Sequence, residues 1–445
     1  RSVGVTGVQT CALPIYVLVK IARKALPAKA LHNVENTYRR VRVKVVSARY
    51  GNPSKRLKVI AITGTNGKTT TACYINEILK EANFTTAMFT TALIEVAGET
   101  RLNDMNVTVA STAQMQRFFR NAKKANVDYV VLEVTSHALD QYKLEGVPIE
   151  AAVMTNLTQD HLDYHKTMEH YAATKAKLFQ LNPRFIVLNR DDEWYDYFNQ
   201  FTADEQKMTY GKHEEAEAKI TRVKLYRKGT EADVVLDHQT HLELATNLPG
   251  EFNVMNMTAA TTLAYLLGIK LKDIQEGIAN VEVVPGRFER AVEGLPYDVI
   301  VDYAHTPDAL EKLLVAAHSI AKGRVILVFG ACGDRDQGKR PIMGEIAARG
   351  ADRIFLTDEE SYNENPEQIR RMIQEGIKSA RGEGKTTEIA DRREAIERAL
   401  GSAGKGDIVL ITGMGHEQYR IINGERLPWN DTEVVREIVG QQRAK

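Results

Sequence analysis

A chain of 445 residues, 43% hydrophobic and 26% charged, is long enough to bury two or three separate cores and has the balance of a globular protein. No stretch approaches about 18 uninterrupted apolar residues, which excludes a transmembrane helix. Three cysteines without ligand spacing exclude a disulfide scaffold and a zinc site, and fit a reducing cytoplasm.

The net charge of +1 hides an asymmetry. Residues 16–58 hold twelve Lys/Arg against one acid, Glu35, whereas the chain from Val59 onward holds 46 basic and 57 acidic residues. Residues 1–15 resemble the translated product of a sequencing-adaptor oligonucleotide, lack the apolar core of a signal peptide, and are set aside. Residues 16–57 form a short basic segment. In it Val17, Leu18, Ile21, Ala25 and Leu26 suit one face of an amphipathic helix, while Val41, Val43 and Val45 alternate with Arg40, Arg42 and Lys44 in the manner of a strand. Residues 51–54 (GNPS) read as a linker. Such an arm suits anionic lipid head groups, nucleic acid, or the acidic body of the chain itself.

The apolar run from Val59 to Ile62 predicts a buried parallel strand, and Tyr74, Ile75, Ile78 and Leu79 predict a helix after it. Between them Gly64, Thr65, Asn66 and Gly67 make a glycine-rich turn that aims N–H groups at one point, at the positive end of that helix. A polyphosphate fits there, with Lys68 on its outer phosphates and the Thr69 hydroxyl on a magnesium ion. The usual spacing asks for a glycine at 62, where this chain has Ile62.

Strand–helix alternation then continues. Strands are predicted over 127–134, 151–154 and 185–188, a β-rich patch over 218–244, a helix over 252–267 and a turn at 285–287. A second series follows: strand 298–301, helix 307–320, strand 325–329, helix 339–348, strand 353–356, helices 366–379 and 392–400, and strand 408–411. The fold class is α/β: a central P-loop ATPase domain with a parallel sheet over 58–285, followed by a smaller Rossmann-like α/β domain over 286–445.

Glu133 ends a buried strand beside the phosphate turn, where an NTPase places a magnesium-binding or water-orienting acid. Thr135 and Ser136 after it also suit a helix N-cap. Asp160, His161, Asp163 and His165 gather ligand-type side chains past the next strand. Lys175 and Lys177, on a helix predicted over 168–179, read by themselves as solvated surface.

Nine segments occur in one order: GTNGKTTT (64–71), LEVTSHAL (132–139), TNLTQDHLDYH (155–165), HYAATKAKLF (170–179), GEFNVMN (250–256), PGRFE (285–289), VDYAHTPDAL (301–310), FGACGDRDQGKRPIMG (329–344) and TGMGHE (412–417). Together they resemble the Mur ligase family, in its MurE type, from about Val59 to the C-terminus. That superfamily uses the shorter glycine-rich form, which accounts for Ile62. GTNGKT alone is shared with folylpolyglutamate synthases, whereas VDYAHTPDAL and GDRDQGKRP are far more specific. The family reaction phosphorylates a carboxylate with ATP, and an amine then attacks the acyl phosphate to give an amide. Phosphorylation supplies the leaving group that a carboxylate lacks; the protein supplies positioning and charge neutralisation.

What the resemblance implies can be carried over residue by residue. ATP is expected at Gly64, Thr65, Asn66, Gly67, Lys68, Thr69 and Thr70, with Asn253 and Asn256 toward the adenine, Arg287 at the inter-domain turn, Asp302 at the ribose with His305 nearby, and Lys339 and Arg340 on the closing domain. Mg2+ is expected at Thr69, Glu133, His161 and Lys175, the last as a CO2-derived carbamate, which displaces the surface reading of that lysine. Lys68, Glu133, His161 and Lys175 form the implied catalytic set. Thr108, Thr135, Ser136 and Lys143 fall on the muramoyl-peptide side. Arg335, Gly413 and Glu417 fall at the incoming amino acid and Glu360 at its far end.

The sequence departs from the family at three places. Only about 43 residues stand where the family has a full UDP-binding domain. Thr108 keeps one threonine of a muramoyl-facing loop, and Lys143 stands for an arginine, losing bidentate geometry. The diaminopimelate-clamping motif Asp-Asn-Pro-Arg becomes Glu359, Glu360, Ser361 and Tyr362, which predicts repulsion of a distal carboxylate and attraction of a distal ammonium. The expected function is an ATP-dependent, ADP-forming amide ligase adding a diamino acid to a UDP-N-acetylmuramoyl-dipeptide. Alternatives are a folylpolyglutamate-synthase-like acceptor or a non-catalytic nucleotide-binding protein. Small-molecule substrates, no nucleic acid, a peripheral membrane contact through 16–58, a monomer and a cytoplasmic location complete the expectation.

Overall fold

The computed structural model describes residues 28–103 and 110–443. A basic helix, Ala28–Arg49, precedes two sheets. The first is built from β1 (Lys58–Thr63), β2 (Thr86–Phe89), β3 (Leu93–Val96), β4 (Glu99–Leu102), β5 (Tyr129–Glu133), β6 (Ile149–Met154), β7 (Phe185–Asn189), β8 (Gln206–Gly211), β9 (Ala218–Tyr226), β10 (Gly229–Leu236) and β11 (Thr240–Thr246). The second uses β12 (Glu289–Val292), β13 (Asp298–Asp302), β14 (Val325–Phe329), β15 (Arg353–Leu356), β16 (Thr386–Glu388) and β17 (Ile408–Thr412), and a hairpin, β18 (Tyr419–Ile422) with β19 (Glu425–Pro428), lies apart.

The first sheet runs β11-β10-β9-β8-β7-β6-β1-β5-β2-β3-β4, parallel from β9 to β2 except where the outer strands return as antiparallel pairs. β1 sits at its centre because Val59, Ile60, Ala61 and Ile62 are apolar on both faces, as a strand covered by helices on both sides must be. Ile60 and Ile62 enter the core under the helices Lys68–Glu81, Glu251–Leu266 and Leu271–Ala279. Val59 and Ala61 enter the opposite core, with Phe118 and Phe119 of the helix Thr112–Lys124 and Tyr171 of Met168–Ala176. The carboxyl ends of β1, β5 and β6 therefore release three loops at one edge, where α/β sheets bind ligands.

The second sheet, β12-β13-β17-β14-β15-β16, is parallel apart from β12. The helices Pro307–Ile320, Lys339–Gly350 and Pro366–Ser379 cover one face, and Arg392–Ser402 with Asp431–Arg443 cover the other. Fully buried Arg392 bonds Asp431 at 2.9 and 2.6 Å and the carbonyl of Thr412 at 2.7 Å, tying two helices to β17. Among the described residues no helix is long and apolar enough to cross a membrane.

The α/β reading and its two-part order stand, but the arm is corrected. Val41, Val43 and Val45 lie in a helix, not a strand. Among the described residues no sheet edge pairs with them. Instead Arg39 meets Asp140 at 3.0 Å, and Arg40 and Lys44 meet Glu145 at 2.9 and 3.3 Å. These ion pairs lie within or just past the short helix Ser136–Asp140. The helical reading of 17–26 falls outside the described residues. The helix predicted to 179 ends at Ala176 and passes into a 3-10 turn, Phe179–Leu181.

Candidate functional site

The turn after β1 is clamped before any ligand is considered. Thr65 N–H donates to the carbonyl of Asn156 at 2.8 Å, Asn66 N–H to Asn156 Oδ1 at 2.9 Å, and Thr155 Oγ1 to the carbonyl of Asn66 at 2.7 Å. Two glycines make that close approach feasible. A Cβ on Gly64 (φ 147°) would lie 1.8 Å from Thr155 Oγ1, and one on Gly67 (φ 83°) 2.2 Å from Asn256 Oδ1. Gly67→Ala is therefore expected to weaken binding of a fluorescent ATP analogue by about tenfold or more, from left-handed strain plus the displaced amide. Nucleotide titration checks this, and unchanged affinity would refute the cradle.

Thr69, at the start of the following helix, donates from Oγ1 to Glu133 Oε2 at 2.8 Å, and that oxygen also accepts from Thr91 N–H at 3.0 Å and Thr91 Oγ1 at 3.1 Å. Lys68 Nζ lies 3.8 Å from Glu133 Oε1 and donates to the Thr65 carbonyl at 2.7 Å. Burial raises the Glu133 pKa, but Lys68, the Thr91 amide and Arg287 outweigh it and hold the carboxyl below its ordinary range. Burial lowers the pKa of Lys68, against the pull of Glu133. A carboxylate and two hydroxyls beside a phosphate turn form a hard-oxygen donor set that fits Mg2+, which takes few protein ligands and completes its shell from phosphates and water. Thr91 carried no motif and was missed by the sequence reading; its position shows only once β2 lies beside β5.

The four ligand-type residues after β6 do not converge. His161 (φ 56°) caps a single turn, Leu162–His165, that directs Asp163 to solvent. His165 lies buried, with Nε2 2.9 Å from Ser136 Oγ. Asp160 instead meets His161 at 3.3 Å, His305 at 3.7 Å and Lys339 at 3.4 Å. Burial works against its charge, yet the Lys339 ammonium above all holds its carboxyl well below the usual range. Burial pushes His161 down to about 3, leaving a neutral imidazole of the kind that ligates metals. Among the described residues, no group of three His, Cys, Asp or Glu side chains is placed to hold a metal ion.

Lys175 is buried, so its surface reading fails. Its Nζ donates to the Gly64 carbonyl at 2.7 Å and sits 4.6 Å from the centre of the Tyr171 ring. It makes no ion pair among the described residues, and burial, with Lys68 nearby, lowers its pKa far below the usual lysine value. An uncharged amine is the form that can take up CO2, so the residue fits a carbamate.

Asn256 Nδ2 donates to Asn253 Oδ1 at 3.2 Å, which holds the pair against the phosphate turn. Asp302 spends both oxygens on backbone amides, from Phe288 at 2.6 Å and Ala304 at 2.7 Å, and burial raises its pKa. Thr135 caps its short helix through Ala138 N–H at 3.2 Å. Lys143 is buried, donates to the Ala110 carbonyl, and is pushed down to about 8 by burial and Arg42. Thr108 lies outside the described residues.

Across the cleft stand Arg335, Glu359, Glu360, Tyr362, Gly413 and Glu417. The Arg335 guanidinium lies 5.0 Å from the Tyr362 ring centre, and Tyr362 OH donates to Glu360 Oε2 at 3.1 Å. Buried Glu359 accepts from Cys332 Sγ at 2.8 Å, while its Oε2 has no hydrogen-bond partner and fills the space beside Gly413. Burial first, then neighbouring carboxylates, push Glu360 up to about 7 and Glu417 to about 8. Both sheets line one cleft of about 1120 Å³. Asn66 Nδ2 to Asp308 Oδ2 (2.8 Å), Arg287 to Thr69 Oγ1 (3.3 Å), His416 Nε2 with the Thr91 carbonyl (3.0 Å) and Gln159 to Asp336 (3.1 Å) bridge it.

Comparison with known proteins matches residues 62–264 to the Mur ligase middle domain and 286–415 to the Mur ligase, glutamate ligase domain. A UDP-N-acetylmuramoyl-L-alanyl-D-glutamate–2,6-diaminopimelate ligase of Geobacillus thermodenitrificans is 40% identical over 413 residues, covering 91% of this chain and 83% of its own. Its namesake in Aquifex aeolicus is 42% identical over 392 residues, covering 88% and 79%. A solved structure of a ligase of that name superposes with a TM-score of 0.61 at 35% identity, covering 87% of this chain and 79% of the other. A Mycobacterium tuberculosis folylpolyglutamate synthase, 16% identical with a TM-score of 0.71, covering 90% and 96%, shares the fold. With identity sustained across both domains, the chain belongs to the Mur ligase family, and it is an ATP-dependent ligase of the MurE type.

Proposed function

We propose that the enzyme joins an amine of a diamino acid to a carboxylate of a UDP-N-acetylmuramoyl-dipeptide in peptidoglycan precursor synthesis. The observation that carries this reading is the placement of an acid-lined pocket, Glu359, Glu360 and Glu417 with Arg335, directly across the cleft from the phosphate turn and Lys175. At the phosphate turn Lys68 is placed to neutralise a transferring phosphoryl group, and Thr69 and Glu133 would hold Mg2+. His161 and Lys175, the latter as a CO2-derived carbamate, would serve a second Mg2+. Mg2+ supplies charge neutralisation when bound. The turn glycines let the backbone approach the phosphates, and Lys339 and Arg287 close the site against water. Asn253 and Asn256 support the nucleotide, Asp302 holds the backbone around Arg287, and Thr135, Ser136 and Lys143 border the acceptor. A UDP-linked precursor as substrate supports a cytoplasmic location.

The relatives are named for diaminopimelate, and that amino acid is the second reading. A distal carboxylate would face Glu359 and Glu360, so lysine or ornithine fits this pocket better. ADP release is the test. It is expected to require the muramoyl-dipeptide nucleotide and a diamino acid together, and release without either substrate would refute the proposal.

A further inference from the structure

Outside the cleft, the helix Ala28–Arg49 is two-sided. Val43 and Ser47 are buried and Val46 is half-buried on its inner side. At 100° per residue, Val34, Val41, Val45 and Ala48 fall within one narrow outer stripe. All four are exposed, Val41 by 45% and Val45 by 61%. Exposed Arg42 and Arg49 border the stripe on one side, and Arg40 and Lys44 on the other. Arg40 and Lys44 share Glu145 yet keep 52% and 63% of their side chains in solvent.

The neighbouring helix Thr112–Lys124 extends the same chemistry. It carries Arg117, Arg120, Lys123 and Lys124 and no acid, and its Arg120 lies 5.3 Å from the ring centre of Tyr50, just past the first helix. Exposed Lys55 and Arg56 follow in the connecting turn. Positive charge thus collects around this helix, in a chain that is otherwise acidic.

We infer that this face docks on an anionic lipid bilayer, with the valine stripe in the head-group–acyl boundary and the flanking Arg and Lys among the lipid phosphates. An interfacial helix has this composition: an apolar stripe, basic borders and low overall hydrophobicity. Anionic lipid adds an attraction for each basic residue held near the surface. A nucleic acid would use the cations and leave the valines in water, because its affinity resides in phosphate contacts.

The experiment is co-sedimentation of the full chain with phosphatidylcholine vesicles, with and without phosphatidylglycerol, at low and high salt. Val41→Asp/Val45→Asp and Arg42→Glu/Arg49→Glu are compared, with ADP release as the folding control because none of these positions lines the cleft. Binding is expected only with phosphatidylglycerol, to weaken with salt, and to fall about tenfold or more in each double variant. The indole of a Val45→Trp variant should shift to the blue and be quenched by brominated lipid. Absence of binding would overturn the proposal. So would binding that survives Val41→Asp/Val45→Asp with an unshifted indole, which is adhesion by charge alone, or tighter binding to duplex DNA that ignores the valines.

Discussion

Lys175→Ala is expected to lower amide-forming turnover by about 10²–10³-fold, the loss typical of removing one charge-positioning group from a water-excluded site. The argument starts from burial. An amine that donates to the Gly64 carbonyl with no carboxylate paired to it is an expensive group to enclose. Its folded pKa is depressed, so the unmodified lysine destabilises the fold increasingly as pH falls from the ordinary lysine value, about 10.4. Alanine removes that cost, and the melting temperature should hold while activity falls. A 13C carbamate resonance after incubation with labelled bicarbonate should appear in the parent and vanish in Lys175→Ala. A short carboxylic acid should restore part of the rate. Full activity in Lys175→Ala, or no carbamate in the active parent, would refute the assignment.

The second large effect concerns the amino acid. Lysine or ornithine is expected to exceed diaminopimelate by about tenfold or more in kcat/KM, and Glu360→Asn with Tyr362→Arg to reverse the order, a swing of about 10²-fold or near 2.7 kcal/mol. At neutral pH Glu417, at about 8, is mostly protonated and Glu360, at about 7, is about half ionised, because burial and mutual repulsion oppose a second charge. A ligand ammonium relieves both, so its binding near pH 7 releases protons, readable by calorimetry in buffers of different ionisation enthalpy. The sign for stability is the reverse of the usual carboxylate case. Both folded pKa values exceed the unfolded value, about 4.3, so the ligand-free protein loses stability as pH rises from there to about 8. Diaminopimelate preferred by the parent would sink the ammonium reading.

Much of the fold was legible because buried parallel strands announce themselves as apolar runs. β1, β6, β7 and β14 were read that way, and the helix Pro307–Ile320 was read at its observed bounds. Short or edge strands such as β3, β4 and β16 carry too few apolar residues to stand out, and their identity comes from the neighbour they pair with. The alternation of valine and arginine in 40–45 misled: a strand would set Val41, Val43 and Val45 on one face, whereas a two-residue step advances a helix by about 200°, so Val43 is buried while Val41 and Val45 stay exposed. In the site, Gly64, Gly67, Lys68 and Thr69 were legible by spacing. Lys175 was not legible by pattern at all, since one lysine in an ordinary helix gives no sign of being buried. Thr91, Asp308 and Cys332 join the cleft through tertiary folding alone.

The bridges across the cleft bear on how such a protein can be inherited. Asn66 leans on Asp308, 242 positions later, and Asp160 on Lys339, 179 later. The first half clamps its own turn, but each half also completes its phosphate side with a residue of the other. A C-terminal half grafted from a distant relative would have to bring its own Asp308 and Lys339 in register with the recipient's Asn66 and Asp160. The two domains are structurally separable sheets, but as working parts they travel as a pair.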